Sequence, residues 1–148
     1  MYYDAPDQAK DKNVIVMLPL ENGTKIPSDM YAQLITKVPE GKITCWEDIS
    51  AFLGKIYERN VPTYPIPSLP PKNIYHEEIP YWRVVSAHGV LGNGIVTREE
   101  QYQRLVKEGL QVVQRGSIEG SYRVCEYKEH MFRFEELSMI KNTDYNGG

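Results

Sequence analysis

The sequence has few of the residues that build metal sites, disulfide frameworks or membrane spans. It holds two cysteines and three histidines, and these are not grouped at the spacing of metal ligands. The longest apolar run, Val14 to Leu20, is much shorter than the roughly 20 residues that a membrane helix needs. No secretory pattern opens the chain. We therefore expect no metal, no cofactor and no membrane partner, and we expect a reducing cytoplasm as the compartment.

The sequence also has no excess of positive charge. Its net charge of −3 at pH 7 is a mild argument against a nucleic-acid partner. Residues 31–116, however, carry ten Lys and Arg against nine Asp and Glu, so the acidic excess lies in the flanks. The middle of the chain can therefore present a small basic face. Phosphate-binding loops and nucleophile–base pairs are not recognisable in the sequence.

Three helices are predicted from apolar side chains at helical spacing. Their expected limits are Pro27–Val38, Thr44–Gly54 and Thr97–Gly109. A capping box, in which a Thr and a Glu three residues later close the first turn, is expected at Thr44–Glu47 and again at Thr97–Glu100. Gly54 and Gly109 suit the helix ends.

Strands are predicted at 14–20, 81–87, 110–114 and 121–127. The segment Tyr57–Asn73 breaks the pattern, because it contains five prolines, at positions 62, 65, 67, 70 and 71. Each proline lacks a backbone donor and disfavours a helical conformation in the residue before it. This segment is therefore expected to be an extended loop, with at most a short helical turn near Ile56–Asn60.

Two blocks, "VPEGKITCWEDIS" and "PYWRVVSAHGVLGN", are followed at a fitting distance by Glu108-Gly109. Together they resemble the DNA-binding domain of the 6-O-alkylguanine-DNA alkyltransferases and their alkyltransferase-like relatives. The resemblance covers about Asp29 to Arg115. It implies a mainly α fold with small β elements, a winged helix-turn-helix domain at 29–116. Residues 1–28 would then be an N-terminal extension with a strand, and 117–148 a C-terminal strand and tail.

The resemblance departs from the family pattern at the catalytic positions. The alkyl-accepting cysteine falls on Tyr81, the histidine that activates it falls on Trp82, and the glutamate that orients the histidine falls on Glu108. A phenol has a pKa of about 10, and an indole N–H donates but does not accept a proton. Tyr81 is therefore not expected to accept alkyl groups, and Cys45 and Cys125 lie at other positions. We expect a protein that is not an enzyme.

The resemblance also implies DNA contacts elsewhere. The tyrosine that contacts a phosphate falls on Trp46, the arginine that fills the place of a flipped base on Arg59, and an asparagine before the central block on Asn73. Backbone amides and carbonyls of Arg83–Val85 and of the Gly89–Gly94 loop would hold the base edge. The expected DNA- or lesion-binding residues are therefore Trp46, Arg59, Asn73, Tyr81, Trp82, Arg83, Val84, Gly89, Gly92 and Glu108.

By this resemblance, the protein is a monomer that binds double-stranded DNA, recognises and flips alkylated guanine, and flags it for nucleotide excision repair proteins. Alternatives stay open. Trp46 and Trp82 are equally well explained as core aromatics, and Arg83 as an ion-pair partner of Glu108 or Glu78. The whole chain also fits a winged-helix scaffold that has lost DNA binding and serves as a protein-interaction module through "PTYPIPSLPP". An open cleft beside Tyr81 favours DNA, and a plugged one favours the scaffold.

Overall fold

The computed structural model describes residues 11–20, 22–61, 73–74 and 77–141. Contacts divide the chain into two compact units. The first comprises 1–37, 65–79 and 133–148, and the second comprises 38–64 and 80–132. This division differs from the sequence blocks 1–28, 29–116 and 117–148, whose limits stay a prediction. None of the helices in the described residues is both long and apolar enough to cross a membrane.

The described residues form three α-helices, short strands and several short 3₁₀ helices. The helices are α1 (Ser28–Lys37), α2 (Trp46–Tyr57) and α3 (Arg98–Lys107). The strands are β1 (Val14–Met17), β2 (Thr44–Cys45), β3 (Asn73–Ile74), β4 (Glu77–Glu78), β5 (Val84–Val85), β6 (Val112–Gln114), β7 (Tyr122–Val124) and β8 (Ser138–Lys141). They pair two by two: β1 with β8, β2 with β5, β3 with β4, and β6 with β7.

The first unit is built on a parallel pair of strands, of which β1 lies within the strand predicted at 14–20, whereas its pairing with β8 was not predicted. β1 pairs with β8 in the register Val14 to Ser138. Helix α1 lies beside β1, and its buried Gln33 bonds to Val16 through both ends of the side-chain amide. The Val16 N–H donates to Gln33 Oε1 at 2.6 Å, and Gln33 Nε2 donates to the Val16 carbonyl at 2.9 Å. The amide therefore satisfies backbone groups that β8 does not reach.

The capping box predicted at Thr44–Glu47 is wrong. Thr44 belongs to β2, which pairs in parallel with Val84 of β5. Helix α2 begins at Trp46, and the residue that precedes it, Cys45, makes no capping bond with its side chain. The Thr44 hydroxyl is buried and has no hydrogen-bond partner among the described residues. Thr44 therefore belongs to a strand pair and does not cap α2.

Gly54 does not end α2 as predicted. The helix continues to Tyr57, and Glu58 then turns the chain in the left-handed conformation, with φ of 55°. A Cβ atom at Gly54 would lie 2.8 Å from the carbonyl oxygen of Arg59, so glycine permits the chain to fold back closely. Residues 62–72, which hold the five prolines, lie outside the described residues. Only the margins of the predicted loop are visible: Tyr57 ends α2 and Asn73 begins β3.

In the second unit, α3 and the β6–β7 hairpin confirm the sequence predictions. The Thr97 hydroxyl accepts a hydrogen bond from the Glu100 N–H at 3.1 Å, and Gly109 follows the helix with φ of 96°. The predicted strand 81–87 is shorter than expected, because Tyr81–Arg83 forms a 3₁₀ helix before β5. One buried hydrophobic cluster of this unit consists of Ile43, Trp82, Val85, Leu91, Leu105, Leu110 and Val124.

Gly89 is the tightest glycine of this unit. A Cβ atom there would lie 2.6 Å from Cβ of Tyr127, and φ is 78°. We expect Gly89→Ala to lower the free energy of unfolding by at least about 2 kcal/mol, because it adds a steric clash to left-handed strain. Gly94→Ala is the matched control, since Gly94 has φ of 77° and no atom within 4 Å of the added carbon. It should cost only about 1 kcal/mol. Urea unfolding measures both, and equal losses would contradict the steric argument.

Candidate functional site

The candidate site centres on the carboxylate of Glu108, at the end of α3. The Trp82 indole N–H donates to Oε2 at 2.8 Å. The Arg83 guanidinium donates to the same carboxylate through Nε at 3.0 Å and through Nη2 at 2.7 Å. The Gly41 N–H donates to Oε1 at 3.0 Å. One carboxylate therefore joins three separate segments of the second unit.

Arg83 extends this network to a fourth point of the chain. Its Nη1 donates to the Val38 carbonyl at 2.8 Å. The Arg83 and Glu108 side chains are only 15% and 7% exposed, so the ion pair is largely shielded from water. Burial would raise the pKa of Glu108, but the hydrogen bonds from Arg83, Gly41 and Trp82 outweigh it and hold the pKa below its ordinary value. Glu108 is therefore ionised at neutral pH.

Trp82 is a core aromatic with one polar contact. It is 8% exposed and packs in the same cluster as Leu105 of α3. The guanidinium carbon of Arg104 lies 4.2 Å from the ring centroid, and that of Arg83 lies 5.3 Å away. The arginines favour the electron-rich ring face. Because the indole N–H donates to Glu108, Trp82 is a hydrogen-bond donor in this network and supplies no base to it.

Two buried amides, which sequence reasoning missed, hold the backbone of the central block. Asn93 Nδ2 donates to the carbonyls of Tyr81 and Val84 at 2.8 and 3.0 Å. Gln101 Nε2 donates to the carbonyls of Trp82 and Val84 at 3.1 and 2.7 Å. Of these, the Val84 carbonyl was expected to bind a base edge, but it already accepts bonds from both amides. The position of Gln101 four residues before Leu105, on one helix face, was the available signal.

Tyr81 does not line either of the two described cavities. It is 3% exposed. One cavity, of about 550 Å³, lies over Trp82 and is lined by Glu40, Trp82, Arg83, Gln103, Arg104, Lys107 and Glu108. The other, of about 360 Å³, lies near Cys45 and His88. Residues 62–72 and 75–76 lie outside the described part of the chain, so both cavities are defined by the described residues alone.

The other predicted site residues are distributed over both units. Trp46 is the first residue of α2 and is buried, as the core hypothesis expects. Arg59 is exposed just after α2. The Gly92 N–H donates to Gln101 Oε1 at 2.7 Å, so Gly92 contacts one of the two buried amides that hold the central block, here called the amide clamp. Asn73 lies in β3 of the first unit. The structure thus brings Trp82, Arg83 and Glu108 together into one network.

The described residues offer neither an activated thiol at Cys45 nor a metal cluster. Burial raises the pKa of Cys45 to about 12, and the nearby carboxylates of Asp48 and Glu47 add to the rise. The thiolate needed for alkyl transfer is therefore scarce at neutral pH. Within the described ranges, no three side chains of His, Cys, Asp or Glu gather where they could hold a metal ion.

No protein-family model matches the chain, and no curated protein matches it. Two solved structures do. One is S. pombe Atl1 in complex with damaged DNA that contains O6-carboxymethylguanine, and the other is S. pombe ATL in complex with DNA. In each comparison the identity is 18%, the TM-score is 0.52, and the match covers 72% of this chain and 94% of the other. The chain shares the fold of these structures.

We expect Glu108→Gln to lower the free energy of unfolding by about 3 kcal/mol or more, because it leaves the Arg83 charge buried without its counter-charge. Glu100→Gln is the matched control. Glu100 forms an exposed ion pair with Arg104 at 3.7 Å, and its loss should cost less than about 1 kcal/mol. Urea unfolding at neutral pH measures both. A loss at Glu108 as small as that at Glu100 would contradict a central role for the carboxylate.

The same carboxylate predicts a pH dependence. Its pKa is lowered by folding, so its contribution is fully present above the unfolded pKa of about 4.3 and is lost as the pH falls through the folded value. The difference in unfolding free energy between the parent and Glu108→Gln should therefore shrink on acidification below about pH 4. Urea titrations of both proteins across this range measure the difference. A constant difference would show that ionisation of Glu108 does not matter.

Proposed function

We propose that the protein is a non-enzymatic, alkyltransferase-like protein that binds double-stranded DNA and recognises alkylated guanine. The observation that carries the proposal is its fold likeness, over 72% of the chain, to S. pombe Atl1 solved with damaged DNA. The sequence block that resembles the family, Pro80–Asn93, forms the 3₁₀ helix, β5 and the loop beside the Glu108 network. The resemblance and the fold likeness therefore support the same family of functions.

The chemistry at the catalytic position favours binding without alkyl transfer. A transfer would need a nucleophile with a base beside it. By the resemblance, the family's histidine falls on Trp82, and the Trp82 N–H donates to Glu108. The Cys45 thiol is held protonated by burial and by its acidic neighbours. A bound lesion would thus be recognised and left intact, to be passed by a monomeric protein to nucleotide excision repair.

Lesion recognition would require the Tyr81 side chain to move. Flipping a base out of the duplex costs a few kcal/mol, and less at a damaged base. Stacking on an aromatic ring returns about 1–3 kcal/mol. Tyr81 is buried, whereas its backbone carbonyl is fixed by Asn93 at 2.8 Å. We infer that the ring would swing aside and stack on the entering base while the backbone stays in place.

A second function is favoured by the same burial. The Tyr81 side chain is 3% exposed, and carbonyls of its block already accept bonds from Asn93 and Gln101. Both features are expected of a site that Tyr81 fills and closes to a base. The chain would then be a scaffold that has lost DNA binding and binds a protein partner. The two functions differ in a single measurable property, which is affinity for duplex DNA.

Fluorescence anisotropy of two labelled duplexes, one with 6-O-methylguanine and one with guanine, separates these functions. We expect tighter binding to the lesion, and binding that weakens with salt because phosphate contacts release counterions. Tyr81→Ala should reduce the preference for the lesion, since it removes the stacking surface. Tyr127→Ala is a control that removes a ring from another part of the same unit. Absence of binding to either duplex would refute the DNA function and leave the scaffold.

A further inference from the structure

The β6–β7 hairpin has one face packed on the core and an opposite face that is partly exposed. Side chains alternate between the two faces along each strand. Val112, Tyr122 and Val124 pack on the core of the second unit. The pairing extends beyond both strands, since the Cys125 N–H donates to the Gln111 carbonyl and the Arg115 N–H to the Ser121 carbonyl. The opposite face, here called the hairpin face, consists of the exposed Gln111, Arg115 and Arg123, the half-buried Val113 and Cys125, and the buried Ser121.

The hairpin face carries two positive charges and no negative one. Arg123 is paired with Val113, and Arg115 with Ser121 one step nearer the turn, so the arginines are diagonal neighbours. Both are exposed. Neither makes an ion pair within the residues that the structure describes, although Arg115 Nη1 donates to Ser121 Oγ at 3.3 Å. Like charges at this spacing repel one another. An anionic partner would relieve that repulsion.

The tip of the hairpin presents an apolar side chain to water. Ile118 is 60% exposed. The turn that carries it is closed by hydrogen bonds, from the Ile118 N–H to the Arg115 carbonyl at 3.1 Å and from the Ser121 N–H to the Ile118 carbonyl at 3.2 Å. The hairpin is tied to the loop after β5 by a bond from the Leu91 N–H to the Tyr122 carbonyl at 2.9 Å. The backbone of Ile118 is therefore fixed in a short, hydrogen-bonded turn.

We propose that the hairpin is a second DNA-contacting element, in which Arg115 and Arg123 contact phosphates and Ile118 enters a groove of the duplex. The proposal rests on the proposed function and adds a surface to it. Arginines fix a protein on the phosphate backbone, and their planar guanidinium groups match phosphate geometry. Apolar side chains such as Ile serve as wedges at base steps in proteins that bend DNA. Neither contact depends on the base at the lesion.

This placement gives the hairpin a different role from that of Tyr81. Phosphate contacts raise affinity for every duplex, and a residue that stacks on the lesion raises affinity for the damaged duplex alone. Substitutions in the hairpin should therefore weaken binding to damaged and undamaged DNA by the same factor. The ratio of the two affinities should stay that of the parent protein.

The experiment measures Kd for both labelled duplexes at salt concentrations from about 50 to 200 mM. The variants are Arg115→Gln, Arg123→Gln, the double variant and Ile118→Ser. We expect each arginine substitution to reduce the slope of log Kd against log salt by about 0.9. Ile118→Ser should raise Kd at every salt concentration without changing the slope. Circular dichroism melting of each variant confirms that it is folded.

Two substitutions serve as matched controls. Arg133→Gln removes an arginine of the first unit that is 74% exposed and lies 3.8 Å from the exposed Glu136 carboxylate. Val106→Ser removes an exposed aliphatic side chain from α3, at 43% exposure. Both should bind DNA as the parent protein does. An equal loss in the controls and in the hairpin variants would overturn the proposal, because the effect would then be one of overall charge or apolar surface.

Failure of the hairpin proposal differs from failure of the proposed function. If the hairpin variants bind like the parent while Tyr81→Ala loses the lesion preference, the proposal is overturned and the proposed function stands. If the parent binds no duplex, both are overturned. A labelled poly-glutamate peptide tests the other anionic partner. If the arginine variants lose the peptide but keep DNA, the hairpin face binds acidic protein and the DNA proposal is overturned.

Discussion

The second unit depends on a single carboxylate, that of Glu108. A buried charge is tolerated only when partners surround it, and Trp82, Arg83 and Gly41 all donate to this group. Because these donors come from separate segments, the end of α3, the 3₁₀ helix and the turn before β2 are fixed together. In the family that the sequence resembles, a glutamate at this position orients a catalytic histidine. In this protein Glu108 accepts hydrogen bonds from the Trp82 indole, from Arg83 and from Gly41, and so it has a structural role.

Local sequence signals predicted the structure correctly where the conformation of the backbone depends on a single residue. Thr97 caps α3 as predicted, and Gly109 follows the helix end in the left-handed conformation that favours glycine. The β6–β7 hairpin has the predicted strands on either side of its glycine-containing turn. Charge alone suggested two ion-pair partners for Arg83, Glu108 and Glu78, and the structure shows the pair with Glu108. The resemblance also predicted Arg83 and Glu108 as residues of one site.

Non-local contacts decided the features that sequence patterns predicted wrongly or missed. The motif at Thr44–Glu47 is a good capping box, but pairing with Val84 draws Thr44 into a strand. Gly54 is of the residue type that often ends a helix, but here it lies inside α2, where the absence of a side chain lets the Arg59 backbone approach closely. β1 and β8 lie far apart in sequence, so periodicity carries no information about their pairing. The amide clamp of Asn93 and Gln101 is likewise visible only once the backbone of the central block is in place.

The bond between Gln33 and Val16 also has a consequence for association. A strand as apolar as Val14–Met17 is prone to recruit further strands at any edge where its backbone groups are open. β8 occupies one edge of β1, and the Gln33 amide occupies donor and acceptor of Val16 on the other. A side chain thus imitates the neighbouring strand and stops the sheet from growing in that direction. A helix residue protects the protein against edge-to-edge aggregation.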